Sequence, residues 1–162
     1  MEPRFYSRLS LPGGEFTLVF SFRGLIGLIF PGFEREATLA EARPQTPEPK
    51  IVSRLTAYFK GERVGFGEFC LDWTGASAFC RRVWQEVREI PWGNTLTYGE
   101  IARKIGRPGA ARAVGQAMRI NPLPVIVPCH RVLGKNERLT GFALGLAWKE
   151  KLLQIEGIKC IR

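Results

Sequence analysis

Residues 5–30 alternate short apolar runs with two breaks, Pro12-Gly13-Gly14 and Arg23-Gly24. Apolar runs of this length between turn-forming residues predict strands joined as hairpins. Residues 41–50 contain Pro44, Pro47 and Pro49, which predicts a loop or connector. From 51 to 60 the period changes. Ile51, Leu55 and Phe59 recur every four residues and Gly61 follows, the pattern of a short helix and its stop. Residues 62–75 read as strand and linker, and no internal repeat appears. The first 74 residues are therefore expected to form a small β-rich α+β domain without a catalytic constellation of its own.

The second half, 75–162, has a helical period. Phe79, Val83, Val87 and Ile90 fall on one face, and Pro91-Trp92-Gly93 ends that pattern. Thr97 with Glu100 three residues later is a capping box, opening a helix through Ile105 that Gly106 stops. After Arg107-Pro108-Gly109 a second helix is expected over 110–119. Two short helices joined by a tight glycine-containing turn predict a helix-turn-helix, so this domain should be mainly helical and winged-helix-like, and the whole chain α+β. The second helix is unusually small-faced: Ala110, Ala111, Ala113, Gly115 and Ala117 leave Arg112 and Arg119 as its long side chains. Small residues let a backbone approach a partner closely, whereas a major-groove reader offers several long polar side chains. This helix suits close, weakly selective contact in the minor groove, with Arg112 able to intrude.

Charge separates the halves further. Residues 1–76 hold nine basic and nine acidic residues, while 77–162 hold 15 basic and six acidic, the whole of the formal +9. A neutral half joined to a strongly basic one predicts that the second meets a polyanion, and the helix pair favours nucleic acid over a membrane surface. Leu25-Ile26-Gly27-Leu28-Ile29-Phe30 is too short and too far from the start to be a signal peptide, and no stretch approaches a membrane span. We expect an intracellular, cytoplasmic and nucleoid-associated protein with reduced thiols. The four cysteines lack zinc-site spacing and the chain has one histidine, so no structural metal is expected.

That histidine is part of Ile126-Val127-Pro128-Cys129-His130-Arg131-Val132. A thiol is a strong nucleophile only as thiolate, and a neighbouring imidazole or cation favours that form. The apolar run delivers Cys129 to the end of a buried segment, with Arg131 making the spot electropositive. The pair reads as an activated thiol. On these residues alone the purpose of that thiol is open, a cysteine hydrolase included.

The second half resembles the O6-alkylguanine-DNA alkyltransferases (methylated-DNA–protein-cysteine methyltransferases). The matching residues are Tyr98, Arg112-Ala113-Val114-Gly115, Met118, Asn121-Pro122, Pro128-Cys129-His130-Arg131-Val132, Gly141, Gly145, Lys149, Leu152-Leu153 and Glu156-Gly157. The resemblance covers about residues 75–158 and implies single-turnover transfer from O6-alkylguanine in double-stranded DNA, with O4-alkylthymine a further lesion to test. It implies a monomer needing no cofactor. Cys129 would accept the alkyl group. His130, oriented by Glu156, would act on it through a bridging water, while Tyr98 donates to the leaving base and Lys149 favours its charge. Arg112 would fill the stack vacated by the flipped base and Tyr98 press the flanking phosphate, with Ala111, Gly115, Arg119 and Arg131 completing the DNA face. Met118 would wall the base pocket, Asn121 tie the helix pair to the active-site turn, and the Cys129 and Val132 carbonyls accept from the exocyclic amine.

One stretch departs from the family pattern. Where tyrosine, serine and glycine are usual, this chain has Phe142-Ala143-Leu144. Phe142 keeps a ring for the base without a hydroxyl, Ala143 still offers its backbone amide to O6, and Leu144 narrows the pocket mouth. Methyl is accordingly the expected adduct rather than bulky benzyl groups.

Overall fold

The structure, a computed structural model, describes residues 2–34 and 39–160. The chain divides into two compact units, Met1–Thr74 and Gly75–Arg162.

In the first unit, β1 (Arg4–Leu11), β2 (Gly14–Ser21) and β3 (Gly24–Ile29) form the expected antiparallel hairpins. The connector expected over 41–50 instead contributes a short strand, β4 (Ala42–Pro44), paired parallel to β1, giving the order β3-β2-β1-β4. Pro44 is tolerated because β4 is an edge strand, where a missing N–H need not break a ladder. Pro49 starts helix α1 (Pro49–Phe59) at a position whose N–H would lack an intrahelical partner in any case. Ile51, Leu55, Tyr58 and Phe59 are the buried face of α1, with Phe59 4.8 Å from Phe16 and Phe16 4.9 Å from Phe30, ring centre to ring centre. The strand expected within 62–75 reduces to one bridge, Leu25 with Leu71. There Leu25 N donates to Cys70 O, and a side chain on Gly24 would lie 2.3 Å from that same carbonyl, so the approach requires glycine.

In the second unit, Ser77 caps α2 (Ala78–Arg88) by accepting from Cys80 N, and Val83, Trp84 and Val87 are buried. The indole of Trp84 donates to Ala117 O at 2.9 Å, fastening α2 to the helix that follows the turn. The capping box closes as expected: Thr97 N donates to Glu100 Oε2 at 2.7 Å and Glu100 N to Thr97 Oγ1 at 3.2 Å. It opens α3 (Tyr98–Lys104), and Gly106, at φ +74°, turns the chain toward α4 (Ala111–Arg119). A two-residue strand before α3, β5 (Leu96–Thr97), pairs parallel with β6 (Val132–Leu133). This pairing sets the start of α3 beside a 3₁₀ turn, Cys129–Arg131, and α5 (Leu146–Ile155) closes the unit. The architecture is the expected α+β one, with a sheet-rich first part and a helical second part. Among the described residues no helix is long and apolar enough to cross a membrane.

Candidate active site

The segment leading to Cys129 is irregular yet buried, with Leu123, Val125, Ile126 and Val127 all shielded. Buried backbone must be hydrogen-bonded, and here Asn121 does much of that work. Its side chain accepts from Leu123 N and donates to Val127 O, both at 3.0 Å, while Val127 N reaches back to Leu123 O. Val125 sits at φ +74°, a conformation that costs a β-branched residue about 1–3 kcal/mol and persists only where its surroundings impose it. Asn121, in the turn after α4, thus ties that helix to the strained arch carrying the cysteine.

Cys129 is 3% exposed. Burial pushes its thiol up to about 11, against hydrogen bonding from the Asn121 side chain, the Lys149 charge and the Cys129 and His130 amides. The resting group is therefore a thiol, and it needs a base. His130 is wholly buried, and burial holds its imidazole below the ordinary histidine range despite the Glu156 carboxylate, so it rests neutral and able to take a proton. Its Nε2 lies 2.6 Å from Glu156 Oε1, which fixes that nitrogen as the one facing the carboxylate.

Glu156 is the centre of a wider network. Arg131 donates from Nε to Oε2 at 2.8 Å and from Nη2 to Oε1 at 2.9 Å, and its Nη1 donates to the carbonyl of Ile90. Burial would raise the Glu156 carboxyl, but hydrogen bonds from His130 and Arg131, with the Arg131 charge, hold it down at about 2. Arg131 was expected on the DNA face, and the structure corrects this. Its guanidinium is engaged inside the protein, where it offsets the buried carboxylate that backs His130. Neutral imidazole, carboxylate and guanidinium form a set with no net charge, which makes their burial tolerable.

On the other flank, Lys149 is fully buried and donates to Val132 O at 2.8 Å and Thr140 O at 3.2 Å. Burial lowers its ammonium to about 8, so it remains mostly charged at neutral pH. Its Nζ stands 5.8 Å from the ring centres of both Tyr98 and Phe142. The Val132 carbonyl, expected to accept from substrate, is therefore already shared with Lys149, which leaves one lone pair for a ligand. Burial raises the Tyr98 phenol, which keeps its proton. Met118 is buried, Phe142 and Leu144 are half-buried, and Ala143 is exposed.

Helix α4 exposes Arg112, Ala113, Gln116 and Arg119, a single stripe at helical spacing that Ile120 just after it continues, and Ala111 and Gly115 are half-buried at its edge. A side chain on Gly115 would meet only the Tyr98 ring, at 3.9 Å, so internal packing does not demand glycine there. Pattern reading missed Thr140, which touches both Tyr98 and Lys149, and the Ile90 carbonyl that receives Arg131. Thr140 lies in no periodic pattern, and the period that includes Ile90 concerns its side chain, not its carbonyl. No group of metal-binding side chains occurs among the described residues.

Residues 78–158, half of the chain, match the family described as 6-O-methylguanine DNA methyltransferase, DNA binding domain. The chain is 52% identical over 105 residues to the methylated-DNA–protein-cysteine methyltransferase of Mycolicibacterium paratuberculosis, covering 65% of this chain and 62% of that relative. With the protein of the same name from Methanosarcina acetivorans, identity is 53% over 104 residues, covering 64% and 65%. The matched region thus spans somewhat under two thirds of these relatives' length. A crystal structure of Mycobacterium tuberculosis OGT in complex with DNA is similar over nearly the whole chain, with a TM-score of 0.84, 40% identity and coverage of 94% of this chain and 92% of that one. With a buried cysteine beside a carboxylate-backed histidine and these matches across both units, the chain belongs to the 6-O-methylguanine DNA methyltransferase family.

Proposed function

We propose that this protein repairs alkylated DNA by taking the alkyl group of O6-alkylguanine onto Cys129, once and irreversibly. The observation that carries this reading is a buried thiol, held protonated, adjoining a neutral histidine that Glu156 and Arg131 back and hold in place. A free-standing hydrolase would leave unexplained the small-faced, arginine-bearing helix α4 in the same unit. The Mycobacterium tuberculosis structure in complex with DNA supports DNA as the partner. A DNA substrate also favours work in the cytoplasm, at the nucleoid.

The chemistry balances as follows. His130 takes the Cys129 proton through a bridging water, and its new charge is met by Glu156. Sulfur forms a bond to the alkyl carbon as the carbon–O6 bond breaks, and the electron pair goes to the guanine. Tyr98 donates a hydrogen bond to that base and Lys149 stabilises its negative charge. The alkyl group stays on sulfur as a thioether. A base in the duplex is beyond the reach of a thiol this enclosed, so the nucleotide must leave the stack, at a cost of a few kcal/mol. Arg112, exposed at the start of α4, fills the gap it leaves.

The direct test is incubation with an excess of duplex carrying O6-methylguanine. Unmodified guanine should appear in the DNA up to one equivalent per protein and then stop. Continued turnover, or binding with no restored guanine, would overturn the reading in favour of a hydrolase or a lesion recogniser.

Two variants probe its parts. Arg112→Ala should slow repair in duplex about tenfold while reaction with free O6-methylguanine base is unchanged, because only the duplex requires flipping. Equal losses on both substrates would remove the flipping role. Lys149→Met should slow transfer about a hundredfold. With the native lysine, the rate should decline as pH rises through about 8, where the ammonium loses its proton, and the variant should lack that limb. A wild-type rate that climbs steadily above pH 8 would show that the Lys149 charge is not used.

A further inference from the structure

Thr140 touches the two groups that face the leaving base in the proposed reaction. Its carbonyl accepts from Lys149 Nζ at 3.2 Å, and its hydroxyl donates to the Tyr98 oxygen at 3.4 Å. It is held tightly itself. A side chain on Gly134 would lie 2.4 Å from Thr140 Cγ2 and 3.3 Å from Arg138 O, and Gly134 N donates to that carbonyl. A side chain at Gly134 would have to displace the Thr140 methyl, so glycine at the base of the turn leaves Thr140 its place. From that place Thr140 reaches Tyr98 and Lys149 together.

We infer that Thr140 is a positioning residue, which sets the direction of the Tyr98 proton and the place of the Lys149 cation. A phenol oxygen that accepts from Thr140 directs its own O–H elsewhere, toward the incoming base. The same hydroxyl stabilises negative charge on Tyr98 as the hydrogen bond to the base strengthens. This rests on the reading of Tyr98 as the donor to the base, and the test separates the two.

Thr140→Val keeps the shape and the backbone carbonyl that Lys149 uses, and deletes the hydroxyl alone. Transfer from O6-methylguanine DNA should slow about fivefold, the range expected for one hydrogen bond, and Thr140→Ser should restore it. In a Tyr98→Phe background, Thr140→Val should cause no further loss, since its effect runs through the phenol. A similar fivefold loss in that background, or no rescue by serine, would overturn the inference and leave Thr140 a packing residue. A Tyr98→Phe variant that reacts at the wild-type rate would instead overturn the role of Tyr98. Gly134→Ala supplies a second check: it should displace Thr140 and reproduce the Thr140→Val loss with the native threonine present. A Gly134→Ala protein that folds and transfers at the wild-type rate would show that the turn does not set Thr140.

Discussion

Cys129→Ser is expected to abolish alkyl transfer, with a loss of at least about a thousandfold, while the protein still folds and binds lesion DNA. The substitution is nearly isosteric, and the buried site already satisfies a small polar group through Asn121 and two backbone amides. What disappears is nucleophilicity. Burial pushes even the thiol to about 11, and His130 must take its proton in the reaction. A serine hydroxyl starts far more reluctant to ionise, so the same imidazole cannot activate it on the same timescale. Gel-shift binding alongside a transfer assay checks both halves. Substantial transfer by the serine variant would move the acceptor to another residue.

The second large effect concerns Glu156. Glu156→Gln keeps the shape and removes the charge, leaving the Arg131 guanidinium buried without its counter-ion. Breaking a buried pair in this way costs about 3–5 kcal/mol of stability. It also removes the carboxylate that orients the His130 ring and would receive its charge, so transfer should fall by about a hundredfold as well. Acid unfolding supplies an independent signature. The folded carboxyl, at about 2, lies below its unfolded value near 4.3, so it binds protons less readily than in the unfolded chain. Its stabilisation, about 3 kcal/mol, is complete above that unfolded value and is lost as pH falls toward about 2. His130 acts in the same direction at higher pH. Its folded value is lowered, so the unfolded chain gains protons first and stability begins to decline below about pH 6.5. Denaturant titrations from pH 7 downward should show both stages in the native protein and only the upper one in Glu156→Gln. Identical profiles for the two would mean that Glu156 is not the ionised partner of Arg131.

Local rules made the helical half readable from sequence. The Thr97–Glu100 capping box, Gly106 and the four apolar positions from Phe79 to Ile90 each act over a few residues, and the structure follows them. Distant partners were not readable in that way. β4 forms in a proline-rich stretch because β1 offers an open edge nearly forty residues earlier in the chain, and nothing within 41–50 announces that edge. Arg131 illustrates the same limit at the site. Counted with a strongly basic half, it reads as a phosphate contact; a carboxylate 25 residues later reverses its direction and sends it inward. Thr140 joins Tyr98 across 42 residues through a turn that depends on one glycine, a relation of shape with no sequence period. Cys129 and His130 were legible because they are neighbours. Glu156, Lys149, Tyr98 and Asn121 came in only through the family resemblance, and Thr140 and the Ile90 carbonyl, distant in sequence, were not legible at all.

Peptide mass analysis after reaction with excess O6-methylguanine duplex tests the central claim most directly. One methyl group on the peptide containing Cys129, on its sulfur, in every reacted molecule is the predicted result. Restored guanine in the DNA with an unmodified Cys129, or a methyl group on Cys70, Cys80 or Cys160 instead, would contradict it.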